Sequence, residues 1–114
     1  MIQEKLDELV NLPPNWDSYG GLPAIPPCAL AAAKLFSGIM QAPKMPFIMP
    51  EIVPTNRGTI MLEWHFRGVD LEIDVLGTDR FHVCAEEDGI VDEFDATTDL
   101  TEIVRWYAKM GPRT

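Results

Sequence analysis

Acidic side chains recur at every second position through the middle of this chain. Glu63 stands in the run Ile60 to Phe66, and Asp70, Glu72 and Asp74 alternate with Val69, Leu71, Ile73 and Val75. Carboxylates two residues apart on a strand project from one face, about 7 Å from each other. Three kinds of chemistry suit such an array. As ligands or acid–base groups, Glu63, Glu72 and Cys84 would form one row, with Asp74 and His82 in the next. As plain charges they would be a solvated face that confers solubility. As a fixed array spaced like the phosphates of one DNA strand, they would occupy a Lys/Arg groove built for nucleic acid.

The elements that must position these residues follow from the apolar pattern. Ile60, Leu62, Trp64 and Phe66 alternate with polar neighbours, as do Val69 to Val75, which marks two strands with one buried face each. Arg67-Gly68 suits a two-residue turn between them. That turn sets Phe66 opposite Val69 and Trp64 opposite Leu71, and therefore Glu63 opposite Glu72 and His65 opposite Asp70. After a turn at Gly77-Thr78-Asp79, pairing Val75 with Phe81 puts Asp74 beside His82, Glu72 beside Cys84 and Asp70 beside Glu86. Like charges directly opposite on a sheet cost about 0.2–1 kcal/mol. A face selected for stability alone would alternate signs, and this one places acid on acid. Glu86-Glu87-Asp88-Gly89 reads as a further turn and Ile90 to Phe94 as a last strand.

Ile2, Leu6, Leu9 and Val10 give a short amphipathic helix that Pro13-Pro14 must end. A second, Ala-rich helix is predicted over Cys28 to Gln41 after Pro26-Pro27. Pro43, Pro46, Pro50 and Pro54 confine Phe47 to Val53 to an extended segment or edge strand. Leu100, Ile103, Val104 and Tyr107 form the stripe of a last helix, with Asp99 and Glu102 spaced as a capping box and Gly111-Pro112 ending it. The expectation is a single α+β domain: an antiparallel meander of four or five strands, two helices before it and one after, packed on one face.

The 114 residues hold 18 acids against 9 Lys and Arg, for a net charge of −9. Thirteen of those acids, with only Arg67 and Arg80, lie between residues 63 and 102, a local charge of −11 that leaves the remainder at +2. This balance argues against direct contact with nucleic acid or an anionic membrane and favours a basic protein partner. The candidate contact residues are Glu63, Asp70, Glu72, Asp74, Glu86, Glu87, Asp88, Asp92, Glu93 and Asp95. Trp16 and Tyr19, in the loop Asn15 to Gly21, either pin that loop to the domain or anchor an interface. Trp64 reads as core and Trp106 as partly buried. The six methionines read as fillers of core gaps, with an adaptable apolar patch of Met40, Met45 and Met49 near prolines as the alternative. No CxxC, HExxH, GxSxG, GxGxxG or P-loop motif occurs, so no cofactor and no catalytic residue is expected. Charges at Glu4, Lys5 and Asp7 interrupt the apolar run that a signal peptide needs. A cytoplasmic setting with Cys28 and Cys84 reduced is therefore expected. A homodimer through an apolar helix or the edge near Phe47–Val53 fits the pattern, since Pro50 protects only part of that edge.

The segments Leu12 to Gly20 and Pro54 to Trp64 together resemble a group of small bacterial and phage-borne proteins. These carry an LPxNWDxYG loop and a later PTxxGxIxLEW hairpin. The resemblance covers roughly residues 6–75; it implies a bacterial or phage setting and carries over no functional residue. The acidic stretch after Val75 lies outside it. Small acidic single-domain proteins from such settings are often inhibitors. The leading expectation is therefore a non-enzymatic inhibitor of a nucleic-acid-binding protein, such as a phage anti-CRISPR or other anti-defence factor. The alternative is an antitoxin or immunity protein that neutralises a cognate toxin. A small metal-dependent enzyme ranks third.

Overall fold

The computed structural model describes residues 2–42 and 47–111. Pro43, Met45, Pro46 and Pro112 lie outside the described residues. Three helices and five strands follow one another as α1 (Ile2–Val10), α2 (Pro26–Met40), β1 (Glu51–Pro54), β2 (Ile60–Phe66), β3 (Val69–Gly77), β4 (Arg80–Glu87), β5 (Ile90–Ala96) and α3 (Thr101–Ala108). The strands form one antiparallel sheet in chain order, so every connection between them is a hairpin. The fold is the α+β meander that the apolar periodicity predicts.

Period-two burial makes the sheet one-sided. Ile60, Leu62, Trp64, Val69, Leu71, Ile73, Val75, Phe81, Val83 and Ala85 are buried on the helical side. Leu6 and Leu9 of α1, the Ala-rich face of α2 with Leu35 and Ile39, and Ile103 and Tyr107 of α3 close over them. Trp64 ties the layers together. Its Nε1 donates to the Ile48 carbonyl at 2.8 Å, its ring meets Tyr107 edge-on at 5.5 Å, and the Tyr107 hydroxyl accepts from the Ile48 amide at 3.0 Å. Burial pushes the Tyr107 hydroxyl above its usual pKa, so it stays neutral and able to donate.

The chain that follows the Asn15–Gly21 loop packs on the β1–β2 turn. Leu22 N–H donates to Asn56 O at 3.0 Å and Ile25 N–H to Gly58 O at 2.9 Å, which clasps the chain after the first loop to the β1–β2 turn. Gly58 makes this possible: its φ is +87°, and a Cβ there would lie 3.2 Å from the Pro23 carbonyl oxygen. The loop itself is closed by its own polar groups. Asp17 Oδ1 accepts from the Tyr19 and Gly21 amides, Asn15 Oδ1 accepts from the Gly20 amide, and Trp16 Nε1 donates to Leu22 O at 2.7 Å. These bonds hold the Asp17 carboxyl below its usual pKa, the Tyr19 amide contributing most.

Boundaries differ from the expectation at three places. Helix α2 starts at Pro26, because the first helical positions have no amide to satisfy and tolerate both prolines. Helix α3 starts after Leu100 with no side-chain cap, so the capping box does not form. Asp99 Oδ1 instead accepts from the Thr101 amide at 3.0 Å and the Thr101 hydroxyl at 2.6 Å, which draws the Asp99 carboxyl below its usual pKa. Strand β4 runs on through Glu87, which shortens the last hairpin to Asp88-Gly89, both at positive φ as Arg67-Gly68 are. Trp106 is buried, at 9% exposure. Among the described residues no helix is long and apolar enough to cross a membrane.

Candidate functional site

With all helices on one side, the other face of the sheet displays the alternate residues of every strand. The register arranges them in rows across the sheet. One row runs Glu51, Glu63, Glu72, Cys84, Glu93; the next runs Val53, Met61, Asp74, His82, Asp95; the third runs His65, Asp70, Glu86, Val91. Every cross-strand neighbour read from the sequence between Ile60 and Glu86 is present, including Glu63 opposite Glu72 and Asp70 opposite Glu86. Glu51 lengthens the first row. The proline spacing predicts an extended segment or edge strand there and sets no register, whereas the buried Ile52 beside Glu51 fixes its face.

Acids in contact raise one another's cost of ionisation. Partial burial pushes the Glu63 carboxyl above its usual pKa, and the Glu72 and Glu51 carboxylates and a hydrogen bond to Glu72 push it the same way. Two histidines stand among these acids as hydrogen-bond partners. His65 Nδ1 lies 2.8 Å from Asp70 Oδ1. His82 bridges β5, with Nδ1 at 2.8 Å from Asp95 and Nε2 at 2.7 Å from Glu93. Hydrogen bonding to these carboxylates raises both imidazoles above their usual pKa. A third partner comes from the clasp: Arg57 reaches Asp74 at 3.8 Å, a contact that strand periodicity alone does not reveal. Asp74 is largely enclosed, with its side chain 13% exposed and its Oδ1 without a hydrogen-bond partner among the described residues.

The structure divides the other candidate residues. Glu86, Glu93 and Asp95 stand on the acidic face, and Asp88 is exposed in the β4–β5 turn. Glu87 and Asp92 face the helical side, because the two-residue turn pairs Glu87 with Ile90 and Ala85 with Asp92. There Asp92 accepts from Trp106 Nε1 at 3.1 Å, and Lys109 lies 3.5 Å from Glu87 and over the Trp106 ring. Both acids are thereby removed from the acidic face. In the first loop Trp16 is half-buried and bonded, whereas Tyr19 is 90% exposed.

One group of side chains among the described residues has metal-ligand spacing. The ligating atoms of Glu63, His65 and Glu72 lie within 4.8 Å of one another. This set differs from the row of Glu63, Glu72 and Cys84, because His65 follows Glu63 by two residues on the same face, and His82 is already engaged by Glu93 and Asp95. Cys84 is half-buried, and desolvation followed by the nearby Glu93 and Glu72 carboxylates pushes its thiol up, away from the thiolate that binds metal. An apolar recess between Leu30 and Lys34 of α2 and Phe81 and Leu100 is lined from the helical side and contains none of the acidic-face carboxylates. Compared with known proteins, this chain matches no family model, no curated protein and no solved structure.

Proposed function

We propose that this chain is a non-enzymatic binding protein that inhibits a nucleic-acid-binding partner by occupying its basic surface. A phage anti-CRISPR or other anti-defence protein, acting in the cytoplasm of a bacterial host, is the most concrete form of that reading. The observation that carries it is the row Glu51, Glu63, Glu72, Cys84, Glu93 on a sheet face that no helix covers among the described residues. Holding acids side by side works against folding, and a basic groove is the environment that would relieve the cost. The resemblance of the loop and hairpin segments supports the bacterial or phage setting. Charge complementarity of this kind gives fast association that weakens steeply with salt. A Glu72→Lys/Glu86→Lys variant tests it: the protein should stay folded and lose inhibition, and normal inhibition by the folded variant refutes the proposal.

The antitoxin or immunity reading has its own observation. Tyr19 is 90% exposed on a loop whose backbone is fixed by Asp17 and Asn15, which suits an interface anchor. If Tyr19→Ala abolishes toxin neutralisation while the lysine variant does not, that reading replaces the first.

A further inference from the structure

The two edges of the sheet are guarded unequally. Strand β1 has four residues, ends in Pro54 and follows Pro50, devices that discourage pairing with another strand. Strand β5 has seven residues, Ile90-Val91-Asp92-Glu93-Phe94-Asp95-Ala96, with no proline, glycine, lysine or arginine. Ile90 is 71% and Val91 57% exposed on it. Its register with β4 is unbroken from Ile90 to Ala96, so no bulge twists the edge away.

The backbone of β5 has a defined free side. In a hairpin closed by a two-residue turn the flanking residues, here Glu87 and Ile90, form a hydrogen-bonded pair, and bonding then alternates along the strand. Ile90, Asp92, Phe94 and Ala96 therefore bond to β4. Val91, Glu93 and Asp95 turn their amides and carbonyls outward. Among the described residues no backbone hydrogen bond outside the ladder reaches these three. Their side chains lie on the acidic face, where His82 holds Glu93 and Asp95 in place at 2.7 and 2.8 Å.

We propose that β5 receives an extended basic segment of the partner as a sixth antiparallel strand. The proposal rests on the docking reading above and names the partner's part in it. Main-chain bonds to Val91, Glu93 and Asp95 would give affinity, and alternate side chains would give selectivity: an apolar residue against Val91, Lys or Arg against Glu93 and Asp95. A second copy of this chain is a poorer occupant. Self-pairing with the longest overlap sets Glu93 against its own counterpart, acid on acid.

The test uses the full chain and a capped decapeptide of alternating lysine and valine, followed by NMR amide exchange. The peptide should slow exchange at Val91, Glu93 and Asp95 at least tenfold and leave the amides of β1 unchanged. Val91→Pro removes an outward donor and no ladder bond, and it should cut peptide affinity at least tenfold. Val91→Lys, which keeps the backbone and adds a repelling charge, should do the same and stands in if the proline variant does not fold. Peptide binding that shifts Glu63 and Glu72 but leaves the β5 amides unprotected overturns the sixth strand and spares the docking face. No binding even at low salt overturns both. A dimer in size-exclusion chromatography that Val91→Lys converts to monomer assigns the edge to a second copy and also overturns the proposal.

Discussion

Replacing Glu72 by lysine should make this protein more stable and less able to bind. Glu72 faces Glu63 on β2 and Cys84 on β4, with Asp70 and Asp74 two positions away on its own strand. The direct Glu63–Glu72 pairing costs about 0.2–1 kcal/mol as two carboxylates, and an opposite-charge pair there gains a similar amount. The swing is then about 0.4–2 kcal/mol. Since Glu72 is only half-buried, solvent screening holds the gain near the middle of that span, about 1 kcal/mol. For a domain of this size that corresponds to a rise in Tm of about 4 °C. Thermal unfolding of the wild type, Glu72→Gln and Glu72→Lys measures it, and the glutamine variant should gain about half as much. Because the effect is electrostatic, most of it should vanish at 1 M salt, where the Debye length is about 3 Å. The Glu63 carboxyl, followed by NMR, should move back towards its usual pKa, retaining only the upward push of burial and of Glu51. A destabilised Glu72→Lys protein, or a gain that salt leaves untouched, refutes the view that the acidic register is held against its own repulsion.

Four further outcomes follow from the same geometry. His65 and His82 have pKa values raised above 6.5 by their carboxylates, and Glu63 is raised above 4.5. In each case the folded state binds the proton more tightly than the unfolded chain, so stability should fall as pH rises through these raised values; Tm should be higher at pH 5.5 than at pH 8 and His82→Asn should flatten the slope. Gly58→Ala forces a side chain into a backbone at φ +87° against the Pro23 carbonyl; urea denaturation should show a loss of about 1–3 kcal/mol. Tyr19→Ala should change stability by less than about 0.5 kcal/mol, because the ring is exposed and only the backbone of this residue is bonded. EDTA treatment should leave partner binding unchanged, whereas stoichiometric zinc or manganese uptake in calorimetry that Glu63→Gln abolishes would give the Glu63, His65 and Glu72 group a metal role.

Much of this surface was legible before the fold was known, for one physical reason. On a sheet with a single buried face, the apolar residues fix the register, and the register fixes the polar neighbours. Trp64 opposite Leu71 cannot occur without Glu63 opposite Glu72. That coupling weakens at the edges of the sheet. At β5 the helix-side position between Ile90 and Phe94 is Asp92, an acid satisfied by the Trp106 indole, so alternation could not tell which side faces the helices. Whether the preceding turn has two residues or four sets the register of that strand and not its parity, since Ile90 pairs with Glu87 in the one case and with Ala85 in the other, both on the helical side. Arg57 escaped because it reaches Asp74 from the clasped β1–β2 turn. The conspicuous Trp16 loop and Gly58 serve the clasp between Leu22–Ile25 and Asn56–Gly58, and of the two aromatics in that loop Trp16 is bonded and half-buried while Tyr19 is exposed.

The central claim is that the uncovered face of the sheet takes the place of nucleic acid in a partner's basic groove. Its most direct measurement is competition. Immobilised wild-type protein and the Glu72→Lys/Glu86→Lys variant are exposed to bacterial host lysate at low salt, then washed with duplex DNA. The account expects a basic nucleic-acid-binding protein to be retained by the wild type, released by DNA or by raised salt, and not retained by the variant. Equal retention by both proteins, or a captured partner that DNA does not displace, contradicts it.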